Sequence, residues 1–380
     1  MTQSAAVLGS TGSVGRQALE VCAALGIRVD ALSAGRNVSL LEEQIRAFRP
    51  RLCSVSDQSA AADLAIRTAD TGVRILSGPD AAARAAEETD ADTVVNAVSG
   101  IAGLRPTLAA LRAGKRLALA NKESLVAFGD TVTAEAAARD LPILPVDSEH
   151  SAIFQCLSGQ PVKKLFLTAS GGPFFGRSRE ELKAITPAEA LSHPTWQMGS
   201  RITIDSATMM NKGFEVIEAV HLFGVTPEQI EVVVHRESII HSMVEYCDNA
   251  VIAQLSRPDM RLCVEYALTW PERRGAVIPP LCPTALGSLS FAPPDSETFP
   301  LLPLAYEAIR RGGVTPAAMN GADEEAVALF LAGRIGFSDI SRIVTDVTLR
   351  TARVDSPSLS DVEEADREAR RLTREAAGAL

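Results

Sequence analysis

Aromatic residues are scarce in this sequence: Phe, Trp and Tyr make up 4% of 380 residues, with two tryptophans and three tyrosines. The interior must therefore be largely aliphatic, built from Ala, Leu, Val and Ile. Cysteine is sparse too. The six cysteines, Cys22, Cys53, Cys156, Cys247, Cys263 and Cys282, form no CxxC pair. Most lie inside apolar runs, where Cys acts as a small hydrophobe. That argues against a disulfide scaffold and fits a reducing compartment. No apolar stretch is long enough to span a bilayer. The N-terminus enters Ala5-Ala6-Val7-Leu8 without the basic region and cleavage site of a secretory signal. A cytoplasmic protein with no membrane partner is expected. Positive charge is in deficit, with 37 Lys and Arg against 47 Asp and Glu and a formal net charge of -10. This speaks against a nucleic-acid partner, which would favour a basic face. Any anionic ligand then needs local help from backbone N–H groups, Lys or Arg.

A chain of this length implies two or three domains. Its first part alternates short β-like runs with helical patterns. Strands are expected at Ala5–Leu8, Arg28–Leu32, Leu52–Val55, Val73–Leu76, Thr93–Val98, Arg116–Ala120 and Pro142–Val146. Such βαβ rhythm implies an α/β fold with a doubly wound parallel sheet. After Asp147 the rhythm changes. Strands are expected at Lys164–Ala169, Arg201–Ile204, Val232–Val234, Ser238–Tyr246 and Val251–Leu255, the last three in antiparallel pairing with Asp248-Asn249 in a hairpin turn, and helices at Met209–Phe223 and Met260–Leu268. The organisation reads as a Rossmann-type domain over residues 1–146, an α+β domain over 147–276, a Pro-rich arm over 277–303 and a helical domain over 304–380.

The first loop, Gly9-Ser10-Thr11-Gly12-Ser13-Val14-Gly15, is a GxxGxxG pattern between a strand and a helix. There, backbone N–H groups and the helix N-terminus can meet a pyrophosphate. The spacing departs from GxGxxG, and glycine-rich turns without ligands are common. The second strand sharpens the reading. An NAD site places an acid at its end to bind the ribose. Here the strand runs into Gly35-Arg36-Asn37, with a guanidinium suited to a 2′-phosphate instead. NADPH is favoured, against the alternative of a solvated arginine.

Asp147-Ser148-Glu149 closes the last strand of this part. In extended chain the two carboxylates would face the same way, and oxygen ligands suit Mg²⁺ or Mn²⁺. A helix-capping Asp beside a solvated Glu explains the same residues. Further on, Ser206, Asn211 and Lys212 could hold a phosphate, and Asn211, Glu215 and Glu218 can share a helix face. A capped amphipathic helix reads equally from that spacing. Ser170-Gly171-Gly172-Pro173 is a phosphate contact or a simple turn. Trp196 and Met198 belong to a lid or to the core.

Taken together, GSTGSVG, AGRN, ANKESLV, DSEHSAIFQ, TASGGPF, HPTWQMG and DSATMMNKGFEVIEA occur in an order that resembles the 1-deoxy-D-xylulose 5-phosphate reductoisomerase family, over nearly the whole chain. The resemblance implies NADPH- and divalent-metal-dependent isomerisation and reduction of 1-deoxy-D-xylulose 5-phosphate to 2-C-methyl-D-erythritol 4-phosphate in non-mevalonate isoprenoid biosynthesis. It implies Asp147, Glu149 and Glu215 as metal ligands, with Glu218 in support. Ser148, Ser170, His193, Ser206, Asn211 and Lys212 match substrate-binding positions. Thr11, Gly12, Ser13, Val14, Gly35, Arg36, Asn37, Asn121, Glu123 and Gly199 match NADPH contacts. Lys122 matches the lysine beside the reacting centre, and His241 a further catalytic-domain histidine. A homodimer with a mobile loop around Ser192–Ser200, carrying Trp196 over the substrate, is implied as well. Two departures stand out: Arg36 where many members have Lys, and Ser200 where a basic residue is common.

Two other readings compete. One is an ordinary NADP-dependent dehydrogenase of a semialdehyde or sugar phosphate; a semialdehyde enzyme that forms a thioester would need a reactive Cys with a His base. A redox sensor would bind NADPH without needing the three carboxylates.

Overall fold

The computed structural model describes residues 2–192 and 199–379. The chain gathers into two compact units that do not follow chain order. One comprises residues 1–124, 130–151 and 259–279, the other 125–129, 152–258 and 280–380.

In order along the chain come β1 (Ser4–Leu8), α1 (Ser13–Leu25), β2 (Arg28–Ala34), α2 (Val38–Phe48), β3 (Leu52–Val55), α3 (Gln58–Arg67), β4 (Arg74–Ser77), α4 (Ala81–Glu88), β5 (Thr93–Asn96), α5 (Leu104–Arg112), β6 (Arg116–Leu119), α6 (Lys122–Ala137), β7 (Ile143–Pro145) and α7 (Ser148–Cys156). The seven strands form one parallel sheet in the order β4-β3-β2-β1-β5-β6-β7. Strands β1, β3 and β5 are buried along their whole length. Covered on both faces, such strands are continuously apolar rather than alternating, and small Ala and Val residues let the helices approach.

The first turn shows why its glycines are required. Gly9 has φ +76°, and a Cβ there would lie 2.4 Å from the Ala97 carbonyl oxygen. A Cβ on Gly15 would lie 2.2 Å from the Gly9 carbonyl oxygen, so helix α1 can start this close to the strand only without a side chain. Ser10 locks the turn from behind. Its hydroxyl lies 2.7 Å from Gln44 Oε1, and Gln44 Nε2 donates to the Ser10 carbonyl at 2.9 Å.

The second unit contains β8 (Val162–Ala169), α8 (Arg179–Leu182), α9 (Pro187–Ala190), α10 (Ser200–Ala207), α11 (Met210–Phe223), β9 (Ile230–Val234), β10 (Ile240–Tyr246) and β11 (Val251–Leu255). Helix α12 (Met260–Thr269) returns to the first unit. Helices α13 (Leu301–Arg311), α14 (Thr315–Leu331), α15 (Phe337–Arg350) and α16 (Leu359–Gly378) complete the second. Its sheet is mixed, in the order β11-β10-β8-β9. The scarce aromatics gather here: Phe337 packs edge-on against Phe174 and Phe330, at 5.1 and 5.7 Å between ring centres.

Three expectations are corrected. Arg201–Ile204 is helical, inside α10. Its β-branched residues favour a strand locally, but Thr203 and Ile204 are buried, and Arg201 reaches Glu324 at 2.8 Å and Asn320 at 3.0 Å on α14. Long-range packing overrides propensity there. Strand β9 runs parallel to β8, while β10 is antiparallel to β8 and β11. The expected turn at Asp248-Asn249 does join β10 to β11, with Asn249 at φ +67°. Finally, Asp147-Ser148-Glu149 is not extended chain. Strand β7 ends at Pro145 and α7 begins at Ser148, with the Ser151 N–H donating to the Asp147 carbonyl at 2.8 Å.

Gly15→Ala should be costly, because overpacking of this kind takes about 1–3 kcal/mol. Thermal denaturation should show the loss, and NADPH fluorescence titration should show weakened coenzyme binding. A variant with unchanged melting and unchanged affinity would refute this account of the turn.

Candidate active site

In the first unit the expected site residues gather on loops that leave the carboxyl ends of parallel strands, where open α/β sheets bind ligands. After β1, Gly12 is the N-cap of α1 and has no side chain to occupy the helix N-terminus. After β2, Arg36 stands with its side chain 86% exposed, its Nε donating to Asp57 at 2.9 Å. Asn37 caps α2, accepting from the Leu40 N–H at 3.3 Å.

After β6, Asn121 is buried. Its amide nitrogen donates to the Val98 carbonyl at 2.7 Å, the Gly100 carbonyl at 2.9 Å and Glu123 Oε2 at 2.7 Å. Glu123 also accepts the Gly100 N–H at 3.1 Å. These two residues shape the loop that follows β5.

Buried Lys122 forms an ion pair with the half-buried Asp147. The other Asp147 oxygen lies 2.8 Å from His150 Nδ1, one helical turn on. Burial alone would raise the Asp147 pKa. The Lys122 ammonium and the His150 contact outweigh it and hold the carboxyl far below the usual carboxylate range. Ser148 donates its hydroxyl to Glu149. The sequence reading missed His150, although an acid at a helix start with His three residues on is the local signal for such a contact.

In the second unit, α11 carries the other cluster. Asn211 donates to Glu215 Oε1 at 2.7 Å, as their four-residue spacing suggested. The Asn211 side-chain oxygen Oδ1 is buried and meets no hydrogen-bond donor among the described residues. Lys212, itself buried, bonds both the Glu215 carboxylate and the Thr168 carbonyl. Glu215 and Glu218 are 1% and 3% exposed, and His241 is buried on β10. Ser206 lies on α10, for which Gly199 is the N-cap. The Ser170-Gly171-Gly172 turn follows β8. Both glycines have positive φ, and a Cβ on Gly172 would lie 2.6 Å from the Ser206 carbonyl oxygen. His193, Trp196 and the rest of the expected lid over 193–198 lie outside the described residues.

The exposed Cys282 thiol is held below its ordinary value by the Thr284 hydroxyl and nearby backbone N–H groups, not by a histidine base. Cys22, Cys53, Cys156 and Cys263 are buried, and burial pushes the thiols of Cys22, Cys53 and Cys263 up to about 12. Cys247 and Cys282 are exposed. This weakens the thioester-forming dehydrogenase reading.

Comparison with known proteins agrees in each part of the chain. Residues 5–129 match a family model described as 1-deoxy-D-xylulose 5-phosphate reductoisomerase. Residues 143–223 and 255–372 match models of two C-terminal domains of that enzyme. The chain is 50% identical to the 1-deoxy-D-xylulose 5-phosphate reductoisomerase of Acetivibrio thermocellus, covering 99% of each chain. It is 51% identical to that of Symbiobacterium thermophilum, again over 99% of each. Among solved structures, the reductoisomerase of Zymomonas mobilis in complex with NADPH is 42% identical with a TM-score of 0.93 over 100% of both chains. A DOX-P reductoisomerase in complex with NADPH, fosmidomycin and magnesium is 40% identical with a TM-score of 0.95, covering 99% of this chain and 98% of that one.

Alkylation of the native protein with iodoacetamide should modify Cys247 and Cys282 only, the other four reacting after denaturation. Peptide mass mapping reads this directly, and native labelling at Cys263 would contradict its burial.

Proposed function

The chain belongs to the 1-deoxy-D-xylulose 5-phosphate reductoisomerase family, and we propose that Asp147, Glu149 and Glu215 hold its divalent ion while the loops after β1, β2, β5 and β6 hold NADPH. The enzyme rearranges 1-deoxy-D-xylulose 5-phosphate and reduces the product to 2-C-methyl-D-erythritol 4-phosphate, a step of non-mevalonate isoprenoid biosynthesis. The observation that carries the assignment of ligands is a repeated pairing. In each unit a buried lysine lies against one of the carboxylates, Lys122 on Asp147 and Lys212 on Glu215.

The residues fit both groups. The turn at Gly9, Gly12 and Gly15 is packed too tightly for a Cβ at Gly9 or Gly15 and leaves no side chain at the N-cap of α1, so backbone N–H groups face a ligand there, and the Arg36 guanidinium suits a 2′-phosphate. Three carboxylates are hard oxygen donors, suited to Mg²⁺ or Mn²⁺. When bound, the ion supplies a Lewis acid for the substrate's ketone and adjacent hydroxyl, and NADPH supplies the hydride. The chain's own residues do the rest. Ser148, Ser170, Ser206, Asn211 and Lys212 bind the substrate near its phosphate, and His193 is a further substrate contact. Lys122 stabilises negative charge developing on the substrate oxygen as the carbon skeleton rearranges to a branched aldehyde. His241 supports the same site, and Trp196 is assigned to substrate binding. Residues 1–146 serve the coenzyme and 147–276 the metal and substrate, joined by the arm 277–303 to the helices of 304–380.

We place the enzyme in the cytoplasm, which the six free cysteines favour. No described helix is long and apolar enough to cross a membrane. We also assign it a homodimer. Strand β11 is an edge strand, and its Val251, Ile252 and Leu255 are 48%, 47% and 43% exposed. An apolar edge of this kind calls for a covering partner, and a second copy supplies one.

NADPH oxidation, followed by absorbance, should require both the sugar phosphate and Mg²⁺ or Mn²⁺, and should stop on chelation. A bound Lewis acid is worth several kcal/mol in the transition state, so Glu215→Gln should lower turnover by about a thousandfold with NADPH binding intact. Normal turnover in that variant would remove Glu215 from the ligand set. Ile252→Lys should shift sedimentation from dimer to monomer. An unshifted dimer would place the interface elsewhere.

A further inference from the structure

The Ser170-Gly171-Gly172 turn is held from below by a residue that neither the motifs nor the proposed ligand set includes. Arg236 follows β9, and its Nη1 donates to the Ser170 carbonyl at 2.9 Å and to the Gly172 carbonyl at 2.7 Å. A guanidinium Nη carries two hydrogens, so both are committed to the turn. The guanidinium also lies over the ring of Phe175 on the same loop, 5.2 Å from its centre.

These contacts decide which way the turn's amides point. The Ser170–Gly171 peptide is trans, and in a planar trans peptide the N–H points opposite to the carbonyl. Drawing Ser170 O toward Arg236 therefore turns the Gly171 N–H to the other side of the loop. The Gly172 N–H is taken by Ser170 Oγ at 3.2 Å. Pro173, next in the chain, has no N–H to misdirect. The positive φ of Gly171 and Gly172 allows this arrangement.

Arg236 is itself fixed by its neighbour. The His235 N–H donates to the Ala169 carbonyl at 2.7 Å, tying the residue to the end of β8. Its ring Nε2 accepts the N–H groups of Ile239 and Ile240, both at 3.2 Å, so Nδ1 carries the proton that meets the Ser290 carbonyl at 2.9 Å. Phe291 stacks on the ring at 5.0 Å.

We propose that Arg236 is a positioning residue for substrate binding: it braces the Ser170–Gly172 turn so that the Ser170 hydroxyl and the Gly171 N–H meet the substrate phosphate, without touching the phosphate itself. This rests on the reading of that turn as part of the phosphate site. A brace that fails lets the turn's donors drift, and small misplacements of binding groups are expensive.

The test uses the NADPH- and Mg²⁺-loaded enzyme and two constants: KM for 1-deoxy-D-xylulose 5-phosphate and the inhibition constant of inorganic phosphate as a competitive probe. Arg236→Met should raise both by about tenfold or more, as expected for displaced binding groups, with the KM for NADPH and the kcat at saturating substrate little changed. Ser170→Ala, measured alongside, should raise both constants as well. If Ser170→Ala raises them and Arg236→Met does not, the bracing role is wrong while the phosphate site stands. If Ser170→Ala leaves the phosphate constant unchanged, the reading of the turn as a phosphate site fails, and the brace with it. Should Arg236→Met melt below the assay temperature, Arg236→Gln decides, since its amide ends two atoms short of the carbonyls: raised constants support the brace, and unchanged constants overturn it.

Discussion

Burying a carboxylate is expensive unless a cation or hydrogen-bond donors accompany it, and the architecture of this enzyme is organised around meeting that requirement. Asp147 sits at the start of α7 with Lys122 on one oxygen and His150 on the other. Glu215 sits within α11 against Lys212 and Asn211. Each cluster is local to its unit, and each is fixed by helical spacing: His150 lies three residues after Asp147, and Lys212 and Asn211 lie three and four residues before Glu215. The same lysines that make the acids tolerable in the folded chain are the cations beside the proposed metal and phosphate positions. Stability and chemistry thus draw on the same charges.

The surrounding scaffold supplies rigidity in two ways. In the first unit, close backbone approach holds the coenzyme turn, with glycine where a Cβ has no room and the Ser10–Gln44 pair behind it. A buried polar ladder continues beneath the β6 loop, from Asn96 through Thr107 at 2.8 Å to Ser124 at 3.0 Å. Ser124 donates its backbone N–H to Asn121 Oδ1 at 3.0 Å, and because every member of such a ladder must be satisfied for it to be stable, the orientation of Asn121 is tied to the core.

In the second unit, the helices far along the chain act on the helix that carries Ser206. Arg201 on α10 bonds Glu324 on α14, and Glu324 in turn pairs with Arg370 on α16, which also holds Asp366 at 2.7 Å. The two arginines keep the mostly buried Glu324 carboxyl below its usual range against the opposing effect of burial. The C-terminal helices are therefore part of the frame of the site, fixing α10 just after the expected lid segment.

Much of this was legible in the sequence, for a physical reason. Strand-helix alternation, the glycine turn, the absence of an acid after β2, the Asp248-Asn249 turn and the Asn211–Glu215 spacing are each encoded within a few consecutive residues. Local period and turn chemistry express them directly, and the ordered motifs then pointed to the family. What the tertiary structure decided lies beyond that range. Arg201–Ile204 reads as a strand by its β-branched residues and is a helix because α14 receives Arg201. Strand β9 runs parallel to β8 because pairing partners are chosen by the sheet. Arg236 braces a turn some sixty residues earlier in the chain, and α12 returns to the first unit after more than a hundred residues spent in the second. No local pattern specifies such pairings, because their free energy comes from burial and hydrogen bonding between segments that meet only once the chain has folded.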